Sequence, residues 1–105
     1  MKPEFEAIPV IKNDDKKRFE IEVNGHFAFI DFKENDQTIS LIHTETEPEL
    51  QGTGAATAVV EKTLDYLKQN GKTLLPYCPY VFAYIKKHPE WKAIVAPSFI
   101  KYNEL

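Results

Sequence analysis

Only one cysteine, four glycines and three histidines occur in this chain of 105 residues, and these scarcities remove several classes of protein at once. A lone cysteine, Cys78, excludes an internal disulfide and any cysteine-rich zinc site. His26, His43 and His88 are too scattered to suggest a metal cluster. Long apolar runs are also missing. The most apolar stretch, Leu74 to Ile85, is too short to span a bilayer and is broken by Pro76 and Pro79. There is no excess of positive charge, because 13 Lys and Arg stand against 16 Asp and Glu, for a formal net charge of -3. Nucleic acid, which demands a basic face, is therefore not an expected partner. The one basic run, Lys16 to Arg18, follows Asp14-Asp15 and reads as a solvated turn before a strand. Lys2 is followed by Pro3, Glu4 and Glu6 rather than by an apolar leader, so a cytoplasmic location is the expectation that remains.

With 43% hydrophobic and 28% charged residues, the composition is that of one ordinary globular domain, 1–105. Met1 to Asn13 contains Pro3 and Pro9 and reads as an extended arm or edge strand. From Arg18 to Val23, Phe19, Ile21 and Val23 alternate with Glu20 and Glu22, the pattern of a half-buried strand. Asn24-Gly25 supplies the two-residue turn that matches hairpin twist. His26 to Lys33 returns with Ala28, Ile30 and Phe32 on one face and Phe27 and Phe29 on the other. After a polar turn, Thr38 to Thr46 makes a third strand that Pro48 ends. Ala55 to Asn70 carries Ala56, Val60, Leu64 and Leu67 at helical spacing, with Val59 and Thr63 widening the stripe. Asn70-Gly71 stops that helix. Lys72 to Tyr77 is a short fourth strand, parallel to the third because a helix connects them. Pro79 opens a second helix that Pro89 closes near Lys87. The remainder, 92–105, is a last strand or a packed tail. The fold class is α+β, an antiparallel meander followed by a β-α-β unit and a second helix.

Between the third strand and the first long helix lies Gln51-Gly52-Thr53-Gly54-Ala55-Ala56. Two glycines flank one small residue, with no acidic side chain, so consecutive backbone N–H groups and a helix N-terminus face an anion. A Walker loop is excluded, since no Gly-Lys-Ser/Thr follows. A dinucleotide fingerprint fits only in part, because Thr57 stands where Gly or Ala is wanted and the preceding strands are antiparallel.

Gln51-x-x-Gly54-x-Ala56 resembles the pyrophosphate loop Arg/Gln-x-x-Gly-x-Gly/Ala of the GNAT superfamily of N-acetyltransferases. The order of elements matches that superfamily's core without its early helices. His43-Thr44-Glu45, Pro76 to Val81 and Tyr84 to Glu90 are similar to small GNAT-like proteins of about a hundred residues. The resemblance covers roughly Arg18 to Trp91. It implies acetyl-CoA as cofactor and an unidentified amine as acceptor, either in catalysis or in a non-catalytic acyl-CoA-binding or interaction module. Pantetheine is then expected along the backbone of Thr44, Glu45, Thr46 and Glu47, and pyrophosphate on Gln51, Gly52, Thr53, Gly54, Ala55 and Ala56.

The reactive end falls to other residues. Cys78 precedes a helix N-terminus, a position that favours a thiolate, so it is read either as an acyl-accepting nucleophile or as a small buried filler. His43 is a base toward Cys78 if alternation places it on the cleft face with Leu41 and Glu45; otherwise it is structural. Glu45 and Glu47 are alternative bases acting through water. Tyr84 matches a tyrosine that many GNAT enzymes use as general acid toward the CoA thiolate, although Tyr80 and Tyr84 at helical spacing also suit packing.

Overall fold

A computed structural model describes all residues from Met1 to Leu105. Five strands form one sheet in chain order: β1 (Ile11–Asn13), β2 (Arg18–Val23), β3 (His26–Asn35), β4 (Thr38–Thr46) and β5 (Thr73–Pro76). The first four are antiparallel neighbours. β5 follows the crossover helix α2 (Ala55–Gln69) and pairs parallel to β4, as a helical crossover requires. The helix α3 (Pro79–Lys87) comes next, with Pro79 in its first turn where a missing N–H costs nothing.

The alternation read in β2 and β3 is present. Phe19, Ile21, Ala28, Ile30 and Phe32 are buried on one face, where α2 packs through Val59, Val60, Thr63, Leu64 and Leu67. Val81 and Ile85 of α3 join the same core. Phe27 and Phe29 lie half-buried on the opposite face under Arg18, whose guanidinium is 4.2 Å from the Phe29 ring and ion-pairs with Glu20 at 2.6 Å. Asn24 and Gly25 both take positive φ, 51° and 83°, which is the geometry the hairpin turn demands. No helix is long and apolar enough to cross a membrane.

Two expectations need correction, and the alternatives left open for the tail resolve to one. The first residues are not simply an extended arm. Pro3–Glu6 forms a helical turn, α1, which sinks Phe5 into the core at 2% exposure, and the edge strand is confined to Ile11–Asn13. Ala56 is only half-buried, while Ala55 and Ala58 take the core side of α2, because the start of the helix is turned toward the glycine loop. The tail is the packed alternative rather than a last strand. A 3-10 segment, Pro89–Ile94, is followed by one bridge from Val95 to Leu74, and Phe99 is then buried beside Tyr77 and Phe82.

One core atom is unsatisfied: the Thr63 hydroxyl is fully buried without a partner. Such a group carries a desolvation cost that an isosteric methyl lacks. Thr63→Val is expected to raise unfolding free energy by about 1 kcal/mol, measured as a shift of the urea midpoint at unchanged slope.

Candidate active site

The site begins where β4 and β5 part. Their parallel register ends at Leu41–Pro76. Beyond it Tyr77 turns its N–H back to Leu75 O at 3.0 Å, and Cys78 makes the last bond, to Leu41 O at 2.8 Å. Pro79 then starts α3, so β4 runs on to Thr46 with no partner on that side. Glu47 N–H bonds to Phe27 O of β3 at 2.9 Å, and strand alternation therefore turns the main-chain groups of Thr44 and Thr46 away from β3, into the open wedge. Glu45 points its main chain the other way and contributes a side chain.

Side-chain placement in β4 depends on a bulge. The register slips between Asp31–His43 and Phe32–Leu41, leaving Ile42 as an extra residue. Parity is reversed beyond it, so Thr44 lies opposite buried Ile30 while His43 and Glu45 face the other side of the sheet. The residue at the sulfur is Thr44, whose Oγ1 is 3.3 Å from Cys78 Sγ. His43 instead meets Glu45, Nε2 to Oε1 at 3.2 Å, and both side chains are more than half exposed. The alternation that groups His43 with Leu41 takes no account of this inserted residue. Cys78 itself is 2% exposed and forms the N-cap of α3. Glu47 is committed elsewhere, accepting from Phe27 N–H at 2.7 Å.

Past Thr46, the chain turns through Pro48–Leu50 into the glycine loop. Gly52 and Gly54 have φ of +78° and +93°, values that explain a glycine at each position. Thr53 N–H bonds to Leu50 O, Ala55 N–H bonds weakly to Thr53 Oγ1, and Ala58 N–H bonds to Gly54 O. The N–H groups of Gly52, Gly54, Ala56 and Thr57 have no partner in the protein. They border a cavity of 260 Å³ that also touches Thr46, Gln51 and Tyr80. The first turn of α2 carries no acidic side chain, so the donor set suits a phosphate.

Tyr80 was visible in the sequence only as a packing partner of Tyr84. Its hydroxyl bonds to Thr57 Oγ1 at 2.9 Å, tying α3 to α2 at the edge of the loop cavity. Tyr84 lies one turn further on, in a neighbouring groove with Thr57, Tyr80, Lys87 and His88, and stacks on His88 at 4.3 Å. Burial, then the negative charges of Glu61 and Glu90, push its phenol up to about 12. It stays protonated at neutral pH but gives up its proton less readily than an ordinary phenol. Lys2 was also missed. Its ammonium donates to Thr53 O at 2.7 Å, across the glycine loop.

Because the folded-state pKa of Tyr84 is raised from 10.0 to about 12, its contribution is present below pH 10 and is lost as pH rises toward 12. Tyrosinate absorbance is expected to show one late-titrating phenol in the native protein. Tyr84→Phe should remove that late step and flatten part of the alkaline loss of stability.

A family model described as GCN5-related N-acetyl-transferase matches residues 18–94. The match runs from the start of β2 through α3 and takes in both the wedge and the glycine loop. It stops short of the N-terminal arm and of the tail after Ile94. With nearly three quarters of its length matched and the strand splay and loop in place, the chain belongs to the GCN5-related N-acetyltransferase family.

Proposed function

We propose that the protein binds acetyl-CoA in the wedge between β4 and β5 and transfers the acetyl group to an amine. The supporting observation is continuity: the unpaired edge at Thr44 and Thr46 leads directly to four free N–H groups at the start of α2. Acetyl-CoA would supply the acetyl group as a thioester. The main chain of Thr44 and Thr46 is suited to hold the pantetheine amides and to donate to the thioester oxygen as negative charge develops there. Gln51 to Ala56 would hold the pyrophosphate through main-chain donors. The whole chain, 1–105, then works as one acyl-CoA-binding domain.

In the transfer, a C–N bond forms to the amine as the thioester C–S bond breaks; the amine gives up a proton and the departing thiolate takes one. His43 and Glu45, paired at the exposed side of β4, would accept the amine proton through water. Tyr84 is a proton donor one turn from the loop cavity, although its raised pKa makes it a reluctant one. We favour direct transfer over a thioester on Cys78, because that sulfur is almost fully buried and its polar neighbour is Thr44 rather than an imidazole. In the covalent route, Cys78 would lose its proton, take the acetyl carbon and release CoA thiol before the amine attacks.

The same burial favours a second reading, an acyl-CoA-binding or interaction module without turnover. Calorimetry with acetyl-CoA, followed by transfer to a panel of primary amines, separates the possibilities. Saturable binding with CoA release is expected, and no binding at millimolar acetyl-CoA would overturn both readings. Binding without release on any amine would favour the module. Cys78→Ala is expected to retain transfer; its complete loss in a folded variant would establish the covalent route.

A further inference from the structure

We propose that Lys2, on the N-terminal arm, is a phosphate-binding residue that clamps the nucleotide end of the cofactor from outside the family-matched region. The inference rests on the acyl-CoA reading above and goes beyond it, since Lys2 lies well before residue 18.

The arm is fixed in place. Phe5 is buried in the core, Phe5 N–H bonds to Lys2 O at 3.0 Å, and Lys62 of α2 donates to Glu6 O at 3.3 Å. That anchorage delivers the Lys2 side chain to the glycine loop. Its Nζ donates to Thr53 O at 2.7 Å, between the two glycines. A Cβ on Gly54 would stand 3.4 Å from Lys2 Cε and 3.7 Å from Nζ, ordinary contact distances that place the ammonium against the loop.

An ammonium has three N–H donors, and Thr53 O is the one acceptor the protein offers it. No carboxylate lies within 4.0 Å of Lys2, in contrast to Lys12 and Lys72, which both pair with Glu34. The un-neutralised charge sits beside Gly54, whose N–H is unpartnered, as are those of Gly52, Ala56 and Thr57 in the same loop and helix start. Donors of two kinds, main-chain and cationic, thus belong to one loop. Such a set fits a phosphate ester. In CoA it is either the pyrophosphate or the ribose phosphate.

Calorimetry of wild type, Lys2→Gln and Lys2→Arg with CoA, dephospho-CoA and pantetheine tests this. Lys2→Gln is expected to weaken CoA roughly three- to ten-fold and to reduce its salt sensitivity. Pantetheine, which lacks phosphate, should bind as before, and Lys2→Arg should restore CoA binding. Equal weakening of dephospho-CoA assigns the contact to the pyrophosphate, whereas weakening of CoA alone assigns it to the ribose phosphate. Unchanged CoA binding in Lys2→Gln overturns the proposal while leaving the acyl-CoA reading intact. So does an equal loss for CoA and pantetheine, which would mean that Lys2 only seats the arm. Failure of wild type to bind CoA would instead remove the acyl-CoA reading itself.

Discussion

The parting of β5 from β4 after Cys78 is the constraint on which the site depends. Tyr77 turns its N–H back to Leu75 O, Cys78 makes the last bond to Leu41 O, and Pro79 starts a helix that leads the chain away. A strand that ran straight on would be free to zip along β4 to Thr46 and fill the wedge with its own backbone. Because β5 does not, a stretch of sheet edge is left with donors and acceptors unmet. Exposed edges are ordinarily a liability. Here the edge is short, it ends in the glycine loop, and α2 and α3 are tied across its far end by Thr57 and Tyr80.

The bulge at Ile42 then divides the chemistry between the two faces of the sheet. On the helix side are Thr44, Cys78 and the loop; on the other are His43, Glu45 and Asp31. The first turn of α2 carries no acidic side chain that would repel an anion, although Glu47 and Glu49 stand just before the loop. The loop keeps small neutral residues and one lysine borrowed from the chain's beginning.

Much of this was readable in the sequence, and the exceptions share a cause. Strand faces in β2 and β3, the Asn24-Gly25 turn and the span of α2 follow from local patterns, and the structure has them. So does the glycine loop, whose positive φ values only its glycines adopt easily. The bulge left no such mark. Nothing in Ser40 to Thr46 distinguishes one extra residue from plain alternation, since the slip is defined by the partner strand. Lys2 is similar. Its position depends on Phe5 finding the core and on Gly54 lying beneath it, contacts separated by about half the chain. Burial of Cys78 against Thr44 likewise joins residues that no local pattern connects.

The order of the strands has a consequence for how the protein assembles. β1 to β4 pair only with sequence neighbours through short turns, so little loop entropy is lost in closing the meander. The pairing of Thr38 with Thr73 must wait until the whole of α2 has been laid across the sheet. β5 is short, and it is held from its outer side by a single bridge to Val95. The cleft is therefore bounded by the one strand of the sheet whose pairing closes a long loop, so its geometry depends on where α2 settles on the sheet.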